Sequence, residues 1–193
     1  MDFTQYIDII RTRLSGKRFV HSMAVADSCR ALAAQNGADP DKAYLAGIMH
    51  DIAKELDPIY ILQMLDEFGI ILDSVQKQTK KLLHGIMGEQ LLKREFGITD
   101  SEILSAVRYH TTARPDMCML EKVLYLADFI SADRDYEGVG QIREAALSGL
   151  DSGVYAGLKF TVCNLVEEDK QIHPDTTGAY NQMCGIMKNS RQA

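Results

Sequence analysis

Leu45, Ile48, Met49 and Ile52 recur at the spacing of one helical face, and the stretch they define, Leu45 to Lys54, carries an imidazole and a carboxylate side by side at His50 and Asp51. A fold that buries this face must also take the pair inside. A carboxylate pressed against apolar surface loses several kcal/mol of solvation unless a cation or strong donors replace the water. Ala46 and Gly47 stand one turn and Ala43 two turns before His50, and Gly47 and Ile48 stand before Asp51. This predicts open space beside the pair, with room for something positive. An imidazole nitrogen and a carboxylate oxygen make half of a coordination sphere for a divalent metal. The plainer alternative is a helix-end pair making ordinary hydrogen bonds.

At 193 residues and 46% hydrophobic composition, the chain can bury on the order of 70% of its unfolded surface around a sizeable core. A net charge of −6 argues against a nucleic acid polymer as main partner, because such binding neutralises many phosphates. A small phosphate ligand fits if positive charge is concentrated locally. Cys29, Cys118, Cys163 and Cys184 show no Cys-x-x-Cys spacing and read as free thiols of a reducing, cytoplasmic compartment. The opening residues lack a basic region followed by an apolar one, and no apolar run reaches membrane-spanning length, so no membrane association is expected.

Along the chain, Tyr6, Ile7, Ile10 and Leu14 predict a short helix over 4–14, and a longer one follows from Lys17 to Asn36 with Gly37 as its left-handed stop. His21, Val25, Cys29 and Leu32 share a stripe, so His21 faces inward. Asp39-Pro40 supplies an N-cap and first-turn proline for the helix carrying His50-Asp51, and Asp57-Pro58 starts another through Leu65. Ile70 to Lys81 reads as a connection. Leu82 to Phe96 is helical, with His84, Gly88 and Leu91 on one face, and Thr99-x-x-Glu102 predicts a capping box opening a helix to His110. Leu120 to Ile130 is apolar nearly all round, so Asp128 must be buried. Either a metal or an ion pair with Arg108 or Arg134 would satisfy it. After the polar stretch Ser131 to Gly140 come helices over 141–147 and 151–168, a loop from Gln171 to Thr177, and a last helix over 179–187. Strand-like alternation is nowhere sustained, and an all-α architecture with one helical bundle domain over 1–186 and a polar tail over 187–193 is expected.

Four of five histidines thus fall on apolar faces, together with Asp51 and Asp128. The order His21, His50-Asp51, Asp128 resembles the HD superfamily of metal-dependent phosphohydrolases, and His84 and His110 resemble the extended set of members that can hold two metals. The match is closer to the YqeK family. It rests on His21-Ser22 with Val25-Ala26, His50-Asp51-Ile52-Ala53-Lys54, Leu83-His84-Gly85 with Gly88, Arg108-Tyr109-His110-Thr111-Thr112, and Leu120-Glu121-Lys122 through Ala127-Asp128. Arg134, Gly138-Val139, Arg143, His173-Pro174, Thr176 and Ala179-Tyr180-Asn181 extend it over nearly the whole chain. Two departures stand out. Ser131-Ala132-Asp133 replaces a Glu-Pro-Gly type of turn, and Ala113 stands where glycine is common; both touch the substrate rim.

The resemblance implies a symmetrical bis(5'-nucleosyl)-tetraphosphatase, cutting diadenosine tetraphosphate or related dinucleoside polyphosphates at the centre into two ADP. It assigns metal binding to His21, His50, Asp51 and Asp128, with iron as the reported metal and manganese or zinc compatible with the donors. Asp51, His84 and His110 are the expected catalytic residues, the two histidines gripping phosphate and protonating the leaving oxygen or holding a second metal. The expected substrate contacts are Arg18, His21, Asp51, Lys54, His84, His110, Asp128 and Arg134, joined by Ile172, His173 and Thr176 in a nucleotide-holding loop. His173 reads equally as a surface turn residue. A homodimer is left open. Competing readings are an HD-type nucleotidase, a guanosine alarmone hydrolase, and an inactive nucleotide-binding HD module.

Overall fold

A computed structural model describes residues 2–190, and no strand occurs among them. The helices are α1 (Thr4–Arg13), α2 (Gly16–Asn36), α3 (Pro40–Met49), α4 (Pro58–Glu67), α5 (Ser74–Gln78), α6 (Leu83–Arg94), α7 (Ser101–Tyr109), α8 (Met119–Ile130), α9 (Val139–Leu147), α10 (Leu150–Glu167) and α11 (Pro174–Ser190), with a 3-10 turn at Lys80–Leu82. Among the described residues no helix is long and apolar enough to cross a membrane. α8 lies at the centre, packed on α2, α3, α7, α9 and α10. Its residues Leu120, Val123, Leu124, Tyr125, Leu126 and Ala127 are all buried, as an all-round apolar helix requires. A smaller cluster of Ile61, Leu65, Leu72, Leu83, Ile86 and Met87 sits under α4.

Local chemistry explains most boundaries. Asp39 accepts from the Asp41 and Lys42 amides at the start of α3, Asp57 does the same for α4, and each is followed by proline. The opening of α7 corrects the capping-box expectation. Asp100, not Thr99, is the cap, its carboxylate accepting from the Glu102 and Ile103 amides. The 70–81 connection contains α5, closed by a reciprocal capping box between Asp73 and Gln76. The last helix begins at Pro174, earlier than expected, and runs to Ser190; residues 191–193 of the expected tail lie outside the described ones.

Two helix crossings position everything that follows. Gly47 of α3 lies against α2 so closely that a Cβ would stand 2.5 Å from Ala26 Cα. The space expected beside the small residues is therefore filled by backbone. Gly85 of α6 lies against α7 in the same way, where a Cβ would meet Arg108 O at 2.7 Å. These contacts bring the histidine-bearing ends of α2 and α3, and of α6 and α7, within one side-chain length.

Candidate metal centre

α3 ends at Met49, so His50 and Asp51 leave the helix instead of riding on it. The chain tightens there, with Ile52 N donating to Met49 O at 3.1 Å and Lys54 N to Asp51 O at 2.9 Å. His110 likewise follows the last residue of α7. Ala113 closes that turn, with φ 55° in the left-handed region and its amide on Tyr109 O at 2.7 Å. The departure from glycine at this position therefore places an alanine in a conformation glycine adopts more readily.

Four imidazoles form a row. Neighbouring ring centroids are 5.4 Å apart from His21 to His50, 5.1 Å from His50 to His110 and 4.9 Å from His110 to His84. Three are held alike: His50 Nδ1 lies 2.7 Å from Gly47 O, His84 Nδ1 2.7 Å from Lys81 O, and His110 Nδ1 2.7 Å from Val107 O. A carbonyl oxygen only accepts, so each Nδ1 carries the hydrogen and each Nε2 turns a lone pair inward. His21 Nδ1 is held by the carboxylate of Asp133 at 2.8 Å, and its Nε2 lies 3.0 Å from Asp128 Oδ1.

The inward atoms converge on two carboxylates. Asp51 Oδ1 is 3.2 Å from His84 Nε2 and 3.6 Å from His110 Nε2, while Asp51 Oδ2 is 3.6 Å from His50 Nε2. His84 Nε2 and His110 Nε2 face each other at 2.9 Å, an arrangement of lone pairs that positive charge must relieve. His50 Nε2 and Asp51 Oδ1 are buried with no hydrogen-bond partner. Buried polar atoms without partners are costly and rare, so a cation belongs among them. Three overlapping donor groups could hold one, namely His21, His50 and Asp51; His50, His110 and Asp128; and Asp51, His84 and His110. Asp51 occurs in two of them, which suits two adjoining positions. The donors are nitrogen and oxygen throughout, the set taken by iron, manganese or zinc.

Burial, reinforced by the neighbouring imidazoles, lowers the pKa of His50 to about 4. Burial also lowers that of His84 to about 4, helped by His110 and Lys54. For Asp51, burial pushes the pKa up but is outweighed by His50, His110, His84 and Lys54, which hold it well below the ordinary carboxylate range. Asp128 is held down against burial by His21, His50 and Arg134. At neutral pH the pocket therefore sets the neutral imidazoles of His50 and His84 beside the ionised carboxylates of Asp51 and Asp128. Cations ring it: Arg18 Nη1 lies 2.9 Å from Asp51 Oδ2, Lys54 Nζ 3.1 Å from His84 Nε2, and Arg134 pairs with Asp128.

Of the residues expected at the site, Arg18, His21, His50, Asp51, Lys54, His84, His110, Asp128 and Arg134 meet here. The side chains of His173 and Thr176 are engaged with other partners. His173 is buried between α5 and α11, 2.8 Å from Asp73 Oδ2, with the Asp175 amide donating to its Nδ1, so it is not a surface turn residue. Thr176 donates to Thr112 O at 2.8 Å, which ties α11 to the segment just beyond His110. The ion-pair alternative for Asp128 is present through Arg134, whereas Arg108 pairs with Glu89. Two neighbours were not foreseen as partners of the histidines. Asp133 is one; Thr111 is the other, its hydroxyl 3.2 Å from His110 Nε2 and 3.3 Å from His84 Nε2. Thr111 sits inside the Arg108 to Thr112 stretch, but nothing in the sequence links Asp133 to a histidine 112 positions away.

Comparison with known proteins agrees with this geometry. Residues 18–133 match the family model described as HD domain, which spans all six inward ligand candidates. A protein of Halalkalibacterium halodurans named "Bis(5'-nucleosyl)-tetraphosphatase, symmetrical" is 34% identical over 92% of this chain and 94% of its own length. A protein of the same name from Bacillus subtilis is 33% identical over 94% and 97%. The crystal structure of a predicted HD superfamily hydrolase involved in NAD metabolism from Clostridium acetobutylicum superposes with a TM-score of 0.91 at 32% identity, covering 96% of this chain and 98% of the other.

Proposed function

Because the chain belongs to the HD domain family, and within it to the YqeK group of symmetrical bis(5'-nucleosyl)-tetraphosphatases, we propose that it is a metal-dependent phosphohydrolase that cuts diadenosine tetraphosphate and related dinucleoside polyphosphates at the centre to give two ADP. The observation that carries this reading is the convergence of four inward imidazoles on the buried Asp51 and the partly buried Asp128, with His50 Nε2 and Asp51 Oδ1 unpartnered. His21, His50, Asp51 and Asp128 would hold one divalent metal. Asp51 with His84 and His110 would hold a second. Iron is our first choice, with manganese and zinc compatible with the same donors.

A bound metal supplies Lewis acidity toward a phosphoryl oxygen and hydroxide near neutral pH. Asp51, ionised at neutral pH, would orient the attacking water and accept its proton. His84 is neutral at pH 7, which suits a donor atom better than an acid. Lys54 Nζ, 3.1 Å from His84 Nε2, would supply a proton to a leaving oxygen on that side. A tetraphosphate brings about four negative charges, and Arg18, Lys54 and Arg134 offset them locally in a chain of net charge −6. The Ile172 to Thr176 segment, joined to Thr112, borders the nucleoside on the His84 and His110 side. We assign the protein to the cytoplasm, where free thiols persist.

Hydrolysis of dinucleoside polyphosphates by protein loaded separately with iron, manganese or zinc, followed by chromatography, tests the reading. Two ADP from diadenosine tetraphosphate is the expected result. ATP plus AMP, or inorganic phosphate from mononucleotides, would instead favour a nucleotidase or alarmone hydrolase using the same ligand set.

A further inference from the structure

The two ends of the imidazole row face different surroundings. Beyond His84 and His110 come Thr111, Thr112 and the start of α11. Beyond His21, Asp128 and Arg134 open on a cleft of about 290 Å³ whose remaining walls are Phe129, Tyr136 and Phe160. The aromatic walls of this second region have no part in the chemistry described above.

The cleft is built and held in place. The Tyr136 and Phe160 rings lie 5.2 Å apart at 44°, and Phe129 meets Phe160 edge-on at 6.3 Å. The Tyr136 hydroxyl donates to Phe129 O at 3.1 Å. Arg143 fastens the loop above, donating to Ile130 O, Ser131 O and Arg134 O. Gly138, with φ 98°, lets Phe160 come under that loop, since a Cβ would stand 2.9 Å from its ring.

We propose that this cleft is the subsite for the second nucleobase of the dinucleoside tetraphosphate, an assignment that rests on the function proposed above. A substrate cut at its centre carries a nucleoside on each side of the reacting phosphates, so it needs two base subsites at opposite ends of the row. The cleft adjoins Asp128 and the Arg134 guanidinium on the phosphate side and is aromatic on the other. Its volume lies at the low end of small-molecule pockets, about 300–1,000 Å³, which fits a base but not a whole dinucleotide. Aromatic faces stack on any base, and one stack is commonly worth about tenfold or more in affinity.

The test uses the metal-loaded protein and calorimetric titration with two uncleavable ligands. One is diadenosine tetraphosphate with a methylene bridging the two central phosphorus atoms; the other is its counterpart bearing a single adenosine. Tyr136→Leu is expected to weaken the two-base ligand about tenfold and the one-base ligand less than twofold, because the latter seats its base in the other subsite. Tyr136→Phe keeps the ring and should bind both like the parent, and Phe160→Leu should repeat the Tyr136→Leu result from the opposite wall. Equal weakening of both ligands, no weakening, a Tyr136→Phe loss as large as that of Tyr136→Leu, or a parent protein that binds the two ligands equally would each overturn the subsite. Product analysis reads the parent proposal separately. A protein that holds the two-base ligand through Tyr136 yet releases no ADP keeps the subsite and loses the hydrolase assignment.

Discussion

Asp133 Oδ2 lies 2.8 Å from His21 Nδ1, and Ser131 Oγ fixes the same carboxylate by donating to Asp133 Oδ1 at 2.7 Å. Among the four inward imidazoles, His21 is held by an anion where the other three are held by backbone carbonyls. A carboxylate behind an imidazole orients the ring and raises its basicity as a ligand. Asp133→Asn is therefore expected to lower metal affinity by about 10–100-fold with the fold intact, measured by competition with a chromophoric chelator. Unchanged affinity would reduce Asp133 to a surface contact.

His84 and His110 meet Asp51 but not His21. Alanine at either position should lower turnover by about a hundredfold or more, while circular dichroism stays that of the parent. Metal analysis of the same variants should show one ion fewer per chain than the parent. Retained stoichiometry would mean that this pair supports the first position and does not hold a second ion.

Acid should unfold the metal-free protein by a histidine-driven route. His50 and His84 have folded pKa values of about 4 against 6.5 when free, so between these limits the unfolded chain binds more protons. Stability is then fully present above pH 6.5 and falls as pH drops toward 4, by about 3 kcal/mol for each histidine. Below about pH 3.8 protonation of Asp51 and Asp128, both held low in the fold, continues the loss. Urea midpoints measured from pH 7.5 to 4 check the slope; a flat profile between 6.5 and 4.5 would contradict it.

The crossing of α2 and α3 should tolerate no added methyl group. Gly47→Ala places a Cβ 2.5 Å from Ala26 Cα and 2.9 Å from its nitrogen, so the helices must separate, at about 1–3 kcal/mol. Because that separation also parts His21 from His50, chelator competition should show weaker metal binding. Gly140→Ala in α9, where a Cβ meets nothing within 4 Å, is the control and should be neutral or stabilising by up to about 1 kcal/mol. Equal denaturant midpoints for the two variants would remove the packing argument.

Local chemistry makes much of this protein legible in its sequence. Periodicity put His21 and His84 on buried helix faces, whereas Asp128, expected to be buried, is only partly so, and aspartate-proline pairs located the starts of α3 and α4. Those are properties of neighbours along the chain, governed by backbone geometry and by the cost of exposing apolar surface. Tertiary packing decided the rest. It ended α3 at Met49, so that His50 and Asp51 turn together into the pocket, and it closed the α7 turn through Ala113 at φ 55°. It also filled the space beside Gly47 with the backbone of Ala26 and set Asp133 behind His21, and it tied His173 and Thr176 into the α11 junction, away from the metal-facing atoms. Which lone pair meets which carboxylate depends on how closely two helices cross. That distance is set by residues remote in sequence, which no local period encodes.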